Sequence, residues 1–313
     1  MYKVFVDGQD GTTGIEIHER LSIRNDVEIL TIPSDKKKDG AERAKYLNQA
    51  DIVFLCLPDE AAKESVSLIT NSNVKVIDAS TAHRVADDWD YGIAELSPAH
   101  REKIKNSKRV ANPGCHATGF IMSMYPLVSQ GITAPEFPST CYSLTGYSGG
   151  GKKLIEAYEN PANKSEILCP KFYGLGLGHK HLPEMQKHSD LINAPIFTPI
   201  VAPYYRGMNV TTPIIPSLMN KPMGAKELHE FYVQYYSGQR FVKIMPFGVE
   251  NNLAQGFLSA EGCNNTNEIH LHIFGDDNQI LIVAQLDNLG KGASGAAIQN
   301  MNIMTGTDEA YGL

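Results

Sequence analysis

Two features of this sequence could do chemistry at a carbon centre: a cysteine set in a sharp turn and a pair of histidines two residues apart. In Val110-Ala111-Asn112-Pro113-Gly114-Cys115-His116-Ala117-Thr118-Gly119, Pro113 and Gly114 force a turn. An apolar helical run follows through Phe120, Ile121, Met124 and Leu127. Cys115 is therefore expected at a helix N-terminus, where the dipole and unpaired N–H groups favour the reactive thiolate. The ordinary fate of a cysteine is burial as a small hydrophobe. That fate is expected for Cys56 and Cys141, inside apolar strands, and Cys169 and Cys263 are also taken as structural. His179-Lys180-His181 is the expected proton carrier, since imidazole titrates near neutrality. In an extended segment the two rings would face the same side. His116 is expected to orient groups locally. His18, His100, His188, His229, His270 and His272 are read as surface or core residues.

A third feature binds rather than reacts. Gly8-Gln9-Asp10-Gly11-Thr12-Thr13-Gly14 is a G-x-x-G-x-x-G turn between an apolar strand and a helix. In that context Gly8, Gly11, Thr12, Thr13 and Gly14 would let the backbone approach a pyrophosphate on the helix N-terminus. A second strand in this architecture ends at the ribose. Here that end reads Pro33-Ser34-Asp35 followed by Lys36-Lys37-Lys38. Ser34 and the lysines suit a 2′-phosphate, so NADP(H) is the expected cofactor, although Asp35 argues the other way. Gly146 to Gly151, with Ser148 and Gly149, offers N–H groups for the nicotinamide amide or for a phosphate.

These residues need a frame. Tyr2–Asp7, Val27–Ile32, Asp51–Leu57 and Val74–Asp78 read as buried strands, separated by helical stretches near 15–21, 41–49 and 59–70. Such alternation predicts right-handed βαβ crossovers and a parallel, Rossmann-type sheet. After about residue 135 the pattern changes. Strand-like stretches at 140–145, 196–201, 209–215, 268–275 and 279–286 predict a mixed or antiparallel sheet, with a hairpin at Asp276-Asp277-Asn278. The class is thus α/β, with a second α+β domain. The expected division is 1–114 for the nucleotide, completed by a C-terminal helix within 290–313, and 115–289 for catalysis and oligomerisation.

Bulk properties narrow the function further. The chain has 313 residues and a net charge of -7, without the clustered basic surface a nucleic-acid partner needs. No apolar run reaches membrane-spanning length. The five cysteines are odd in number and show no CxxC or Cys/His ligand spacing, so neither a disulfide framework nor a metal is expected. With no leader pattern ahead of the first strand, the expected compartment is the cytoplasm.

The motifs together resemble the short form of the N-acetyl-gamma-glutamyl-phosphate reductase family, with the aspartate-semialdehyde dehydrogenases as wider relatives. They are Gly8–Gly14, Asn112-Pro113-Gly114-Cys115 with Ala117-Thr118, Gly146–Lys152, His179-Lys180-His181-Leu182-Pro183-Glu184, Arg206-Gly207-Met208 and Asp287–Ala293. They span nearly the whole chain. The stretch Asp78–Arg84 departs from a common family form by carrying Ala82 and His83, as the short form does. The resemblance implies a mixed-sheet catalytic and dimerisation domain and a homodimer or homotetramer. It draws the acid/base from His179 or His181, with His179 the first choice. It makes Arg84, Arg206, Lys152 and Asn112 candidates for the anionic substrate, and it sets Asn288 near the nicotinamide, where helix capping is the alternative role.

The implied chemistry is reduction of an acyl phosphate through a thioester on Cys115. Three alternatives remain open at this level: an aspartate-semialdehyde dehydrogenase, a cysteine hydrolase or acyltransferase, and a non-catalytic NADP-binding regulator.

Overall fold

Alternation of apolar side chains builds the first sheet from both faces. Val4 and Val6 of β1 (Tyr2–Asp7) enter one core with Ile52 and Phe54 of β3 (Ile52–Leu55), while Phe5, Val53 and Leu55 enter another on the opposite side. A strand buried on both faces reads as a continuous apolar run, and this is why it is legible in the sequence. β2 (Val27–Leu30), β4 (Lys75–Asp78), β5 (Asp90–Tyr91) and β6 (Arg109–Ala111) complete a six-stranded parallel sheet of order β2-β1-β3-β4-β6-β5. The computed structural model describes residues 1–163, 167–249 and 253–313, divided into two compact units: Met1–Gly114 with Ala293–Leu313, and Cys115–Gly292.

In the first unit, helices α1 (Thr12–Ser22), α2 (Gly40–Gln49), α3 (Asp59–Leu68) and α4 (Pro98–Asn106) join the strands. The strand order reverses between β1 and β3, the switch point at which open α/β sheets bind ligands. The C-terminal helix α9 (Gly295–Thr305) is buried from Gly295 through Met304, and its Ile298 and Met301 share the core of Ile17, Leu21 and Ile77. β5 and β6 were not foreseen from sequence. At two and three residues they are too short to show a period.

The second unit holds β7 (Thr140–Gly146), β8 (Lys171–Phe172), β9 (Ile196–Ala202), β10 (Met208–Ile214), β11 (Val242–Ile244), β12 (Ile269–Gly275) and β13 (Ile280–Leu286). Their order is β11-β12-β13-β10-β7-β9-β8, with β7–β9 and β11–β12 parallel and the other pairs antiparallel. Asp276 shapes the β12–β13 hairpin by accepting from the Asn278 and Gln279 backbone N–H groups. Helix α5 (Cys115–Ser129) packs on β10 and β13, and α8 (Ala225–Tyr235) packs on β12. Between them in sequence lie α6 (Gly151–Glu159) and α7 (Leu182–Lys187).

Candidate active site

The glycine turn lies at the carboxyl end of β1. A β-carbon on Gly8 would fall 2.3 Å from the Cys56 carbonyl oxygen, and one on Gly14 would fall 2.4 Å from the Gly8 carbonyl. Those two glycines are demanded by the fold. Gly11 differs, because a β-carbon there would meet nothing closer than 3.6 Å. The space kept open at Gly11 is room for a ligand to reach the backbone. Gly11 caps α1 without a side chain, and no acid stands in the helix's first turn, so Thr12 and Thr13 open onto an uncancelled positive dipole. Ser34 is exposed at the start of the turn after β2, and Lys37 pairs with Asp10 of the glycine turn at 2.8 Å. These residues fit a dinucleotide carrying an additional phosphate.

Arg84 and Asn112 are both buried in this unit. Arg84 Nε donates to the Asn112 carbonyl at 3.0 Å, and its Nη2 donates to the Ala79 carbonyl at 3.1 Å. Asn112 Nδ2 donates to the Ala293 carbonyl, and its Oδ1 accepts from Asn300. The two side chains thus hold the backbone of the segment that leads to Cys115.

Cys115 is the first residue of α5 and is partly exposed. The contrast with the other cysteines is chemical. Burial pushes the Cys56 and Cys141 thiols far above the usual range, and it pushes Cys263 up to about 12. Such thiols stay protonated and unreactive. Cys169 is exposed. The Asp287–Gly292 turn passes directly over the nucleophile: a β-carbon on Gly292 would sit 2.6 Å from Cys115 Cβ.

The imidazoles of His116 and His181 stand close to Cys115, and the His179 ring meets both of them. His116 is buried, with Nδ1 2.8 Å from Ser143 Oγ and Nε2 2.8 Å from the Tyr173 hydroxyl. Burial, then the nearby charges of His179 and Lys180, lower its pKa to about 3, so it is neutral. The Tyr173 hydroxyl is pushed well up by burial and by the charge of Cys115. His181 lies in ring contact with His116 at 5.4 Å and with His179 at 4.7 Å. Its Nε2 is 3.9 Å from the carboxylate of Glu184, which is itself 1 % exposed. One donor atom each from Cys115, His116 and His181 lie within 4.8 Å of one another.

The His179–His181 segment is not the extended stretch expected from sequence. It is a turn entering α7, in which His179 Nδ1 accepts from the His181 backbone N–H at 3.1 Å. The helix then carries Glu184 back beneath His181, three residues on. His181 joins Cys115 and His116 in the tight group, while the His179 ring stands 5.6 Å from that of His116. A groove of about 500 Å³ opens beside His179, lined by Tyr173, Gly174, Gly176, Gly178 and Lys180.

The remaining candidates fall into two sets. Asn288 Nδ2 donates to buried Ser148 at 3.0 Å, and its Oδ1 accepts from the Gly207 N–H at 2.8 Å. Asn288 therefore ties three motif segments together rather than capping a helix, and Gly149 lies beside it. Arg206 Nη1 donates to Asn265 at 2.9 Å and to fully buried Asp287 at 3.2 Å. Lys152 is exposed in the first turn of α6. Sequence reasoning missed Ser143, Tyr173, Glu184 and Asp287. Glu184 had a signal, its spacing from His181 on a helix; Ser143 and Tyr173 reach His116 only through tertiary pairing. Cys115 and His116 meet His181 from a distant segment, a proximity that sequence spacing does not show.

Two family models match the chain: the semialdehyde dehydrogenase NAD binding domain over residues 3–107 and the semialdehyde dehydrogenase dimerisation domain over residues 115–288. An N-acetyl-gamma-glutamyl-phosphate reductase from Nostoc is 47% identical, covering 99% of this chain and 99% of its own length. One from Chelativorans is 45% identical, covering 96% and 97%. In fold, the chain is similar to an aspartate semialdehyde dehydrogenase from Francisella tularensis, with a TM-score of 0.72 at 15% identity over 97% of this chain and 100% of that one. A Vibrio cholerae aspartate semialdehyde dehydrogenase II gives a TM-score of 0.69 at 14% identity over 97% and 98%. By sequence, the chain belongs to the N-acetyl-gamma-glutamyl-phosphate reductase family, within the semialdehyde dehydrogenases.

Proposed function

We propose that the protein reduces N-acetyl-gamma-glutamyl phosphate to N-acetylglutamate semialdehyde and phosphate, with NADPH as reductant and Cys115 as covalent carrier, in arginine biosynthesis. The observation that carries this reading is the partly exposed Cys115 at the start of α5, beside the His116–His181 pair. The Cys115 thiolate attacks the acyl carbon, the C–O bond to phosphate breaks, and a thioester forms. When bound, the dinucleotide supplies a hydride to the thioester carbonyl. His181 donates a proton to the oxygen of the resulting thiohemiacetal. It takes that proton back as the C–S bond breaks, releasing the aldehyde and restoring the thiolate. Glu184 holds the His181 ring and steadies its cationic form. Neutral His116, fixed by Ser143 and Tyr173, positions the start of α5 and does not transfer the proton.

Gly8, Gly11, Thr12, Thr13 and Gly14 bind the pyrophosphate, and Ser34 with Lys37 reads the 2′-phosphate. Ser148, Gly149 and Asn288 shape the nicotinamide end. Arg206 faces the substrate's anionic groups with its charge partly balanced by Asp287, which favours a weakly held, exchangeable anion. Lys152 adds a second cation. Arg84 and Asn112 act through the backbone they hold. The groove beside His179 has room for the N-acylated chain of the substrate. The protein works as a homodimer or homotetramer. A nucleophilic thiol needs a reducing compartment, so the proposed place of action is the cytoplasm.

The test is the reverse assay, with N-acetylglutamate semialdehyde, phosphate and either NADP or NAD. Turnover with NADP supports the reading. Turnover of aspartate semialdehyde alone would transfer the chain to its wider relatives' chemistry.

A further inference from the structure

The tight group of Cys115, His116 and His181 has a property that the reduction reaction does not use. It offers one sulfur and two imidazole nitrogens, each within 4.8 Å of the others. A tetrahedral Zn²⁺ with metal–ligand bonds of the usual length sets its sulfur and nitrogen ligands about 3.3–3.6 Å apart. The three donors are thus within about 1.5 Å of a metal-binding arrangement. Three protein ligands with one open position is also the composition of an accessible zinc site rather than a closed structural one.

We propose that Cys115, His116 and His181 form an inhibitory site for a borderline-soft divalent cation, Zn²⁺ being the natural occupant. The cation binds the resting enzyme and blocks acylation of the thiolate.

Three further observations support this. Cys115 is partly exposed, so a cation has a route to the sulfur. Thiolate and imidazole are the ligand types that select zinc over magnesium or calcium. Glu184 stands 3.9 Å from His181, the outer-shell carboxylate that commonly orients a metal-binding imidazole. Binding opposes catalysis, because a cation on the sulfur withdraws the thiolate's negative charge and blocks the approach of the acyl phosphate. His116 must yield one of its two present hydrogen bonds, to Ser143 or to Tyr173, so metal binding and the resting hydrogen-bond pattern are alternative states. No electron transfer is involved.

The blocking arm rests on Cys115 being the nucleophile; the metal site itself does not. The experiment therefore reads both, using buffered Zn²⁺ and Co²⁺ on the full-length protein. Zn²⁺ should inhibit NADPH oxidation competitively with the acyl phosphate, and a chelator should restore full activity. Co²⁺ should give a thiolate-to-cobalt charge-transfer band in the near ultraviolet. That band should vanish in Cys115→Ser and persist in Cys169→Ala. In His181→Asn the Co²⁺ affinity should fall at least about tenfold, the lower bound set by losses of merely outer-shell partners. A band that survives Cys115→Ser, or that disappears in Cys169→Ala, would overturn the proposal. So would an unchanged Co²⁺ affinity in His181→Asn. A normal band in an enzyme whose Cys115 is never acylated would leave the metal site standing and remove the proposed reaction instead.

Discussion

The amino ends of α1 and α5 are built alike and put to different uses. Each follows a strand and a glycine-containing turn, and each lacks an acid in its first turn. Three other helices do the opposite: Asp39 caps α2, α3 opens with Asp59 and Glu60, and α8 carries Glu227, whereas α4, α6 and α9 also open without an acid. An acid there satisfies N–H groups and cancels the dipole, stabilising the helix by about 0.3–1 kcal/mol. At α1 and α5 that stabilisation is forgone. In the proposed function the positive end receives an anion that is not always present, a pyrophosphate in one case and a thiolate in the other. The difference lies in what surrounds each end. α1 faces open space at Gly11, suited to a ligand that comes and goes. α5 faces imidazoles, suited to an anion attached to the chain and needing protons moved beside it.

The largest expected effect separates the two ends. Cys115→Ser should lower turnover by roughly 10⁴-fold or more, as removal of a nucleophile does, while nucleotide affinity holds near its starting value. A parallel loss of NADPH binding, read by cofactor fluorescence, would mean the two ends are not independent. Next, His181→Asn should reduce kcat by about 10²–10⁴-fold, the range for a general acid/base, with His179→Asn costing far less. If His179→Asn proved the more damaging in steady-state kinetics, the role of Glu184 would fall with it.

The reciprocal change lies at α1. Gly11→Ala should leave the fold intact and weaken NADPH by about tenfold, or about 1.4 kcal/mol. The rate of Cys115 alkylation by iodoacetamide should not change. Gly14→Ala, whose β-carbon has no space, should instead lower the melting temperature. Equal behaviour of the two variants in a thermal scan would remove the distinction drawn at Gly11.

The smallest effect concerns acid stability, and it belongs to the thiol unit. Burial lowers the pKa of His272 to about 4 and that of His116 to about 3. Both are neutral when folded and take up protons when unfolded. Their contribution is therefore intact above about pH 6.5, the unfolded value, and is lost as pH falls from there towards 4 and 3. His272→Gln should flatten the fall in melting temperature between pH 7 and pH 5. An unaltered slope would show that His272 does not titrate on unfolding.

The fold was legible wherever the signal was local. Ile52–Leu55 and Ile280–Leu286 could be read from burial runs, and the glycine turn from three residues between a strand and a helix. Cys115 was legible for the same reason, as a turn and a helix start adjoin it. Its partners were not. Ser143 sits on β7 and Tyr173 in a loop after β8, and nothing in their immediate sequence marks them as ligands of His116. The backbone of the His179–His181 segment was not legible, since the same-side reading of the two rings supposed an extended chain. The chain instead turns there, and it is the entry into α7 that sets His181 above Glu184. Asn288 had helix capping as its alternative role because its residue type suits one, while the side chain instead bonds Ser148 and the Gly207 N–H.

The thiol at the start of α5 should carry the acyl group, which is tested by mixing the protein with N-acetyl-gamma-glutamyl phosphate in the absence of NADPH, quenching in acid and mapping peptides by mass. The predicted result is a single N-acetylglutamyl adduct on the peptide containing Cys115, absent from Cys115→Ser and discharged when NADPH is added before the quench. An adduct on another residue, or reduction without any adduct in a rapid-quench series, would contradict it.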